Sequence, residues 1–422
     1  MRRWNAPTAY LIYCFGTALL FATGFTVAGL YRIEWAGLGA LELALVGTVL
    51  EATVTFCEVP TGVLADLYGR RASVIAGLFL IGTGLIVEGS LPTLAAILAG
   101  QVLWGLGYTL TSGADAAWIA DEVGEDAART LYVRGAQAAQ AGTLLGIGAS
   151  VLLAGVRLDV PLRVAGVAFW VLAGFLALVM PETGYRPARP AGESWWRGVT
   201  GTFRDGWGVV RSRPGLAMVL VIAIFYGLAA EGFDRLWQLH LLTRFQLNRE
   251  AGLDPVYVFG ALSAGAMLLS IGAAELVRRR ARWADPAVTG RLLLFISALL
   301  IPSVAGFGLA GSLAAAVSFY WMTSLLRETY DPVHTAWVNE QIEPNTRATV
   351  LSMVEQFRSL GEIIGGPMLG SVAVAMTVEA GIVGSSVALL PVLGLYAWLV
   401  WARHRAHVPE GGRAEARAGR QA

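Results

Sequence analysis

Long apolar runs recur along almost the whole chain and limit the folds it can adopt. A helix needs about 20 predominantly apolar residues to cross ~30 Å of hydrocarbon, and we identify twelve such runs. They cover 9–30, 39–61, 72–90, 92–119, 131–154, 161–180, 215–240, 255–277, 291–310, 312–338, 349–373 and 378–402. The sequence therefore predicts an all-α integral membrane protein with twelve transmembrane helices.

The composition agrees with a bilayer environment and excludes several function classes. Only 14% of the residues are charged, whereas a soluble domain carries roughly 25%. The net charge of +1 gives no field that attracts nucleic acid. Every basic residue is arginine, so neither a P-loop lysine nor a lysine Schiff base can form. Cys14 and Cys57 lie apart in apolar runs, and we expect no metal, no cofactor and no enzymatic site.

Arginine is distributed very unevenly between the two sides of the membrane. If twelve helices alternate in direction, 23 loop and tail arginines fall on the side of both chain ends and 5 on the other. Cytoplasmic loops carry such an excess, so both termini are predicted to lie on the cytoplasmic face of the plasma membrane. The longest interruption, 181–214, is predicted to be a cytoplasmic linker between six-helix units at 1–180 and 215–404, with a disordered tail at 405–422.

The two halves resemble each other in sequence. A shift of 219 residues places the fourth and fifth runs on the tenth and eleventh without a gap. The identities include Trp118 with Trp337, Gln137 with Gln356, Gly142 with Gly361, and Gly146 with Gly365. Because this shift joins helices of equal rank, it predicts two pseudo-symmetric six-helix bundles around an axis along the membrane normal.

A polar motif lies between the second and third runs, where we expect a short cytoplasmic turn. It reads Gly62-Val-Leu-Ala-Asp66-Leu-Tyr-Gly69-Arg70-Arg71 and resembles the G-x-x-x-D-x-x-G-R-[KR] signature of the major facilitator superfamily. Together with the twelve runs and their six-plus-six division, the resemblance extends over about residues 5–405. It implies the major facilitator fold and a secondary transporter that moves a small molecule by alternating access.

The resemblance also implies that the motif forms a conformational latch. In the family this loop holds the two halves in the outward-facing state, with its acid near the start of the eleventh helix, here Asn345-Thr346-Arg347. Asp121, at the end of the fourth run, is the expected partner of Arg70. The predicted latch residues are Gly62, Asp66, Gly69, Arg70, Arg71 and Asp121. The alternative is a basic cluster that only sets membrane topology.

Ionisable residues inside the runs are candidates for proton coupling, because a charge in hydrocarbon costs about 3 kcal/mol or more unless it faces water or a partner. These candidates are Glu51, Glu58, Asp115, Arg134 and Glu231. Glu51 lies near mid-span with no arginine at its depth in the first half, and we expect it to bind a proton. Glu58, Asp115 and Arg134 are expected to form a buried cluster. The alternative for them is a permanent structural ion pair.

Other polar and aromatic residues fall in runs that line the cavity of the resembling fold. These candidates for substrate contact are Trp104, Tyr108, Gln137, Tyr226, Asp234, Tyr320, Arg327, Asp331, Glu355 and Arg358. Arg327 and Asp331 are spaced i, i+4, and Glu355, Arg358 and Glu362 share a helix face by i+3 and i+4 steps, so each set can also form a structural ion pair.

Family frequency favours a drug/proton antiporter, similar to the tetracycline-resistance type of exporter, acting on an amphiphilic drug or metabolite. Two departures weaken this assignment: Gln101 stands where such exporters usually carry arginine, and the fifth run around Gly142 and Gly146 lacks their proline. A proton-coupled importer or facilitator of a polar solute is the alternative, and a non-transporting membrane receptor the third. The expected partners are a small-molecule substrate, protons and the lipid bilayer, and the expected state is a monomer.

Overall fold

The computed structural model describes residues 5–185, 214–247, 254–280, 286–340 and 347–406, with single positions at 207, 208, 211, 252 and 342. These residues form twelve long helices and no strand. The helices are α1 (Ala6–Phe25), α2 (Ala40–Tyr68), α3 (Arg70–Ser90), α4 (Leu94–Thr111), α5 (Glu125–Ala154), α6 (Val160–Val179), α7 (Pro214–Phe245), α8 (Pro255–Arg280), α9 (Pro286–Gly308), α10 (Leu313–Asn339), α11 (Arg347–Ala375) and α12 (Val378–Ala388).

Three helices continue after a short break. α1 continues as Ala28–Leu30 and a π-helical turn at Tyr31–Trp35, α4 as Ala114–Val123, and α12 as Leu390–Ala406. Ten of the twelve helices are long and apolar enough to cross a membrane. α10 and α11 have a similar length, 27 and 29 residues, but carry several charged residues. Each predicted run coincides with one helix, and the all-α twelve-helix fold is confirmed.

Single glycines separate helices that the sequence predicts to be joined by longer loops. Gly69 has φ 109° and Gly124 has φ 82°, a region that favours glycine. The expectation that 62–71 forms a turn is wrong, because α2 continues to Tyr68 and α3 begins at Arg70. Only Gly69 leaves helical geometry, so the polar motif lies mostly on the last turns of α2.

The packing of the helices is the same in the two halves. α1 packs on α5 and α6, α3 on α4 and α6, and α2 on α4. α7 packs on α11 and α12, α9 on α10 and α12, and α8 on α10. Each of these five contacts in the second half therefore repeats a contact of the first half, with both helix numbers raised by six. This correspondence confirms two pseudo-symmetric six-helix bundles.

Glycines allow the closest of these contacts. A Cβ atom added at four positions of α5 and α11 would collide with a backbone carbonyl oxygen of α1 or α7. The pairs are Gly142 with Phe15, Gly146 with Leu19, Gly361 with Ile224, and Gly365 with Leu228. Both members of each repeated glycine pair thus make equivalent helix contacts, which explains why the repeat is visible in sequence.

We expect Gly361→Leu to prevent α7 and α11 from packing. The leucine would meet the Ile224 backbone, and overpacking of this kind costs about 1–3 kcal/mol even where side chains can adjust. A matched control is Gly148→Leu on α5, where an added Cβ has open space. Melting temperature in detergent is the measurement: it should fall by several degrees for Gly361→Leu only, and equal values for the two variants would contradict the packing.

The two bundles contact each other most closely on one side. We call the side where α1 begins and α12 ends the termini side, and the opposite side the distal side. Near the distal side, α2 packs on α11, with Gly366 next to Thr48 and Gly370 next to Ala44. α5 packs on α8 in the equivalent contact. The interface between the bundles is therefore closed on the distal side.

The predicted linker and tail lie largely outside the residues that the structure describes. Of 181–214, the structure describes 181–185, 207, 208, 211 and 214, and of 405–422 it describes 405 and 406. The domain boundaries therefore stay predictions.

Candidate substrate cavity and charged network

A cavity of about 570 Å³ lies between the two bundles, within the size range of small-molecule sites. Its wall from the first bundle is apolar and includes Phe21 and Phe25 of α1. Its wall from the second bundle is charged and includes Asp234, Arg327 and Asp331. We call this space the main cavity.

A side cavity of about 370 Å³ adjoins the main cavity. Phe25, Asp234 and Trp237 are among the residues that line both, so the two form one space. Glu51 and Trp104 line the side cavity. A further cavity of about 280 Å³ within the first bundle is lined by Tyr108, Asp115 and other residues.

The structure therefore brings only part of the predicted set together. Those that line the main or side cavity are Glu51, Trp104, Asp234, Tyr320, Arg327 and Asp331. Tyr226 and Glu231 are buried next to this group. Glu58, Arg134, Gln137 and Glu355 are exposed and line none of these three cavities.

The predicted buried cluster of Glu58, Asp115 and Arg134 is wrong. Arg134 is exposed and forms no ion pair with either acid. Asp115 instead accepts a hydrogen bond from the Ala116 backbone N–H, at 2.7 Å. Similar depth in the membrane therefore does not bring Arg134 to the two acids.

Ion pairs in the second bundle connect different helices. Both terminal nitrogens of Arg327 bind the Asp234 carboxylate, at 2.6 and 2.7 Å. Arg358 Nη1 lies 3.2 Å from Asp331 Oδ1, and Arg358 Nε lies 3.3 Å from Glu362 Oε1. The alternative pairings of Arg327 with Asp331 and of Arg358 with Glu355 are therefore wrong, whereas Arg358 does pair with Glu362 on the same face of α11. A carboxylate on a facing helix allows the bidentate geometry that arginine prefers.

A stack of aromatic rings supports Arg358. Its guanidinium lies 5.3 Å from the centre of the Tyr226 ring. Tyr226 stacks on Tyr330 at 4.2 Å, and Tyr330 stacks on His334 at 5.2 Å. Tyr226 thus positions a charged residue through ring contacts and does not line the main cavity.

Glu51 has ionisable neighbours from the second bundle. Its carboxyl group lies next to the carboxyl group of Glu362 on α11 and interacts with it electrostatically. One turn earlier on α2, Gly47 lies against the side chains of Glu231 and Arg235, which pair at 2.7 Å. The sequence reasoning considered only the first bundle and therefore missed these partners.

A buried polar cluster lies beside the side cavity and was also missed. Arg32 Nε lies 2.7 Å from Glu88 Oε1, and Gln101 Nε2 donates to Glu88 Oε2 at 2.7 Å. The Tyr31 hydroxyl donates to the Glu88 backbone carbonyl. Arg32, one of the five arginines assigned from the sequence to the side opposite the chain ends, is 7% exposed. Glu88 is an acid inside the third apolar run, and this feature of the sequence could have indicated a buried cationic partner.

The polar motif forms the expected pair at the termini side. Arg70 Nη1 lies 2.8 Å from Asp121, and Arg70 Nη2 lies 3.7 Å from Asp66. The residues at the start of α11 that were expected near Asp66, Asn345 and Thr346, lie outside the described residues. The latch role of the motif therefore stays a prediction.

The segment Pro181–Tyr185 binds this motif and does not act as a free linker. Glu182 accepts a hydrogen bond from the Arg71 backbone N–H at 2.9 Å. The Tyr185 hydroxyl donates to the Asp66 carbonyl at 2.7 Å. These contacts tie the exit of α6 to the ends of α2 and α3.

Comparisons with known proteins agree with this architecture. The profile of the Major Facilitator Superfamily matches residues 8–327. An uncharacterised transporter of this type from Bacillus subtilis (strain 168), YxaM, is 20% identical over 359 residues, which cover 84% of this chain and 86% of that protein.

Two solved structures are similar in fold at low sequence identity. The nucleoside transporter NupG has a TM-score of 0.73 at 15% identity, covering 94% of this chain and 98% of that chain. A bacterial homologue of the human lysosomal transporter Spinster, in an inward-facing and unoccupied conformation, has a TM-score of 0.74 at 14% identity, covering 94% and 96%.

Proposed function

This chain belongs to the major facilitator superfamily, and we propose that it is a proton-coupled exporter of an amphiphilic drug or metabolite. It is a multi-pass membrane transporter of a small molecule, not an enzyme. We place it in the plasma membrane with the termini side cytoplasmic, which the excess of arginine on that side supports. One chain encloses the main cavity, so a monomer is sufficient for transport.

The pair of Glu51 and Glu362 is the observation that carries this proposal. The two carboxyl groups belong to different bundles and lie next to each other where α2 packs on α11. Two ionised carboxylates so close together repel each other, so we infer that the pair shares one proton. The shared proton thereby joins α2 to α11 and stabilises the closed distal side.

Loss of this proton provides the coupling step. Once the shared proton is lost, both carboxylates are ionised and repel each other. Deprotonation therefore favours separation of α2 from α11 and opening of the distal side. A substrate that displaces the proton from the cytoplasmic side would thus drive its own exit. After exit, protonation from outside restores the closed state. Proton and substrate then move in opposite directions.

Other residues have supporting roles in this scheme. Glu58 lies two turns from Glu51 on the same face of α2 and is exposed, so it is the proposed relay to the cytoplasm. Glu231 is paired with Arg235 and Asp115 lies in a separate cavity. Both are therefore less suited than Glu51 to carry the proton.

Transport by proteoliposomes with an imposed pH gradient tests this function. We expect at least one member of a panel of permanently cationic, neutral and anionic compounds to accumulate when the vesicle interior is acidic. The accumulation should disappear with a proton ionophore and in protein-free vesicles. Accumulation only with an acidic exterior would indicate symport and favour the importer alternative instead.

A further inference from the structure

One carboxylate in the main cavity has no cationic partner among the described residues. Glu328 of α10 lines this cavity beside Arg327 and Asp331 and is exposed to it. Arg327 is bound on both terminal nitrogens by Asp234. Asp331 is bound by Arg358 at 3.2 Å. The charge of Glu328 is therefore available to a ligand.

The charges around the two joined cavities do not balance. Their ionisable lining residues and the direct partners of these residues comprise seven acids and four arginines. The acids are Glu51, Glu88, Glu231, Asp234, Glu328, Asp331 and Glu362, and the arginines are Arg32, Arg235, Arg327 and Arg358. Even with one proton shared by Glu51 and Glu362, the site is negative. A cleft with a low-dielectric wall concentrates such a potential.

Aromatic rings from both bundles line the main cavity and offer surface for an apolar body. Phe21 and Phe25 of α1 stack with their ring centres 6.0 Å apart and both line the cavity. Trp237 of α7 also lines the cavity, and the centre of its ring lies 4.7 Å from the centre of the Tyr320 ring. Aromatic rings pack on hydrocarbon and attract cations at their faces.

We propose that the main cavity binds an amphiphilic organic cation, with its positive charge at Glu328 and its apolar body against the aromatic rings of α1 and α7. This inference rests on the transport function proposed above and adds the class of substrate. It also fits the coupling scheme, because a positive charge entering the cavity stabilises ionised carboxylates nearby. Entry of the cation thus favours release of the proton shared by Glu51 and Glu362.

Two ions of matched size and opposite charge test the proposal. Tetraphenylphosphonium and tetraphenylborate share shape and apolar surface. A difference between their affinities for the purified protein in a neutral detergent therefore reports the effect of charge. We expect the wild type to bind the phosphonium at least about tenfold more tightly. Glu328→Gln should lose most of this preference, whereas Glu328→Asp should keep it. The charge-matched control is Glu125→Gln at the exposed start of α5, which should behave as wild type.

Two outcomes would overturn the proposal: equal or tighter binding of tetraphenylborate by the wild type, or an unchanged phosphonium affinity in Glu328→Gln. The assay contains no proton gradient, so these outcomes would leave the proposed proton coupling intact. Conversely, a clear phosphonium preference without any accumulation driven by pH would overturn the proposed function and leave the cation site in place.

Discussion

Glu51→Gln is expected to abolish substrate accumulation driven by a pH gradient while leaving substrate affinity within about twofold of wild type. The amide keeps the size of the side chain and can still donate a hydrogen bond to Glu362, so the closed distal side is preserved. It cannot give up a proton, however, and the change in protonation that drives the distal side open is lost. Binding is retained because the carboxylate proposed to contact substrate, Glu328, is on another helix.

Two assays in the same proteoliposomes separate these effects. Accumulation in vesicles with an acidic interior measures coupling, and binding in the absence of a gradient measures affinity. Glu58→Gln should show a weaker defect, because the relay can be bypassed by water where the side chain is exposed. Glu125→Gln serves as the control for loss of one acid. Wild-type accumulation by Glu51→Gln would remove Glu51 from the coupling step.

Arg70→Ala is expected to lower the transport rate by about tenfold or more without preventing folding. Arg70 binds Asp121 at 2.8 Å and Asp66 at 3.7 Å, and the alanine leaves both acids without this partner. If the motif contributes unequally to the two conformations, its loss shifts their equilibrium by about 1–3 kcal/mol. A transporter held in one state turns over slowly even when binding is intact.

The matched control for this variant is Arg129→Ala, which removes an exposed arginine on the first turns of α5 outside the motif. Asp66→Asn should resemble Arg70→Ala, since it removes charge from the same site. Initial rates in proteoliposomes are the measurement, with elution as a single symmetric peak as the criterion for folding. Wild-type rates in both motif variants would refute the latch role.

The features that sequence reasoning predicted correctly depend on local properties of the chain. The length of an apolar run determines whether a helix can span the bilayer, and all twelve runs became helices. Gly142 and Gly361 could be matched because each must allow the same close approach of two helices. The pairing of Arg70 with Asp121 could be anticipated because both residues lie at helix ends on one side of the membrane.

The errors concern which helix faces meet across the cavity. Arg327 pairs with Asp234, 93 residues away, and not with its i+4 neighbour Asp331. Arg134 was placed in a buried cluster from its depth alone, although its side chain is exposed. The contact of Glu51 with Glu362 depends on how the two bundles pack on the distal side. Helix rotation and bundle packing are not encoded in any single run, so these contacts required three-dimensional coordinates.

Proton release by the purified transporter shows whether substrate binding displaces the proton of the Glu51 and Glu362 pair. A compound that accumulates in the vesicle assay is added to protein in weakly buffered detergent, and the pH is followed with an indicator dye. We expect release of up to about one proton per bound substrate from the wild type and none from Glu51→Gln at saturating substrate, because binding displaces the proton of the Glu51 and Glu362 pair. Equal release from both proteins would exclude Glu51 as the group that exchanges the proton.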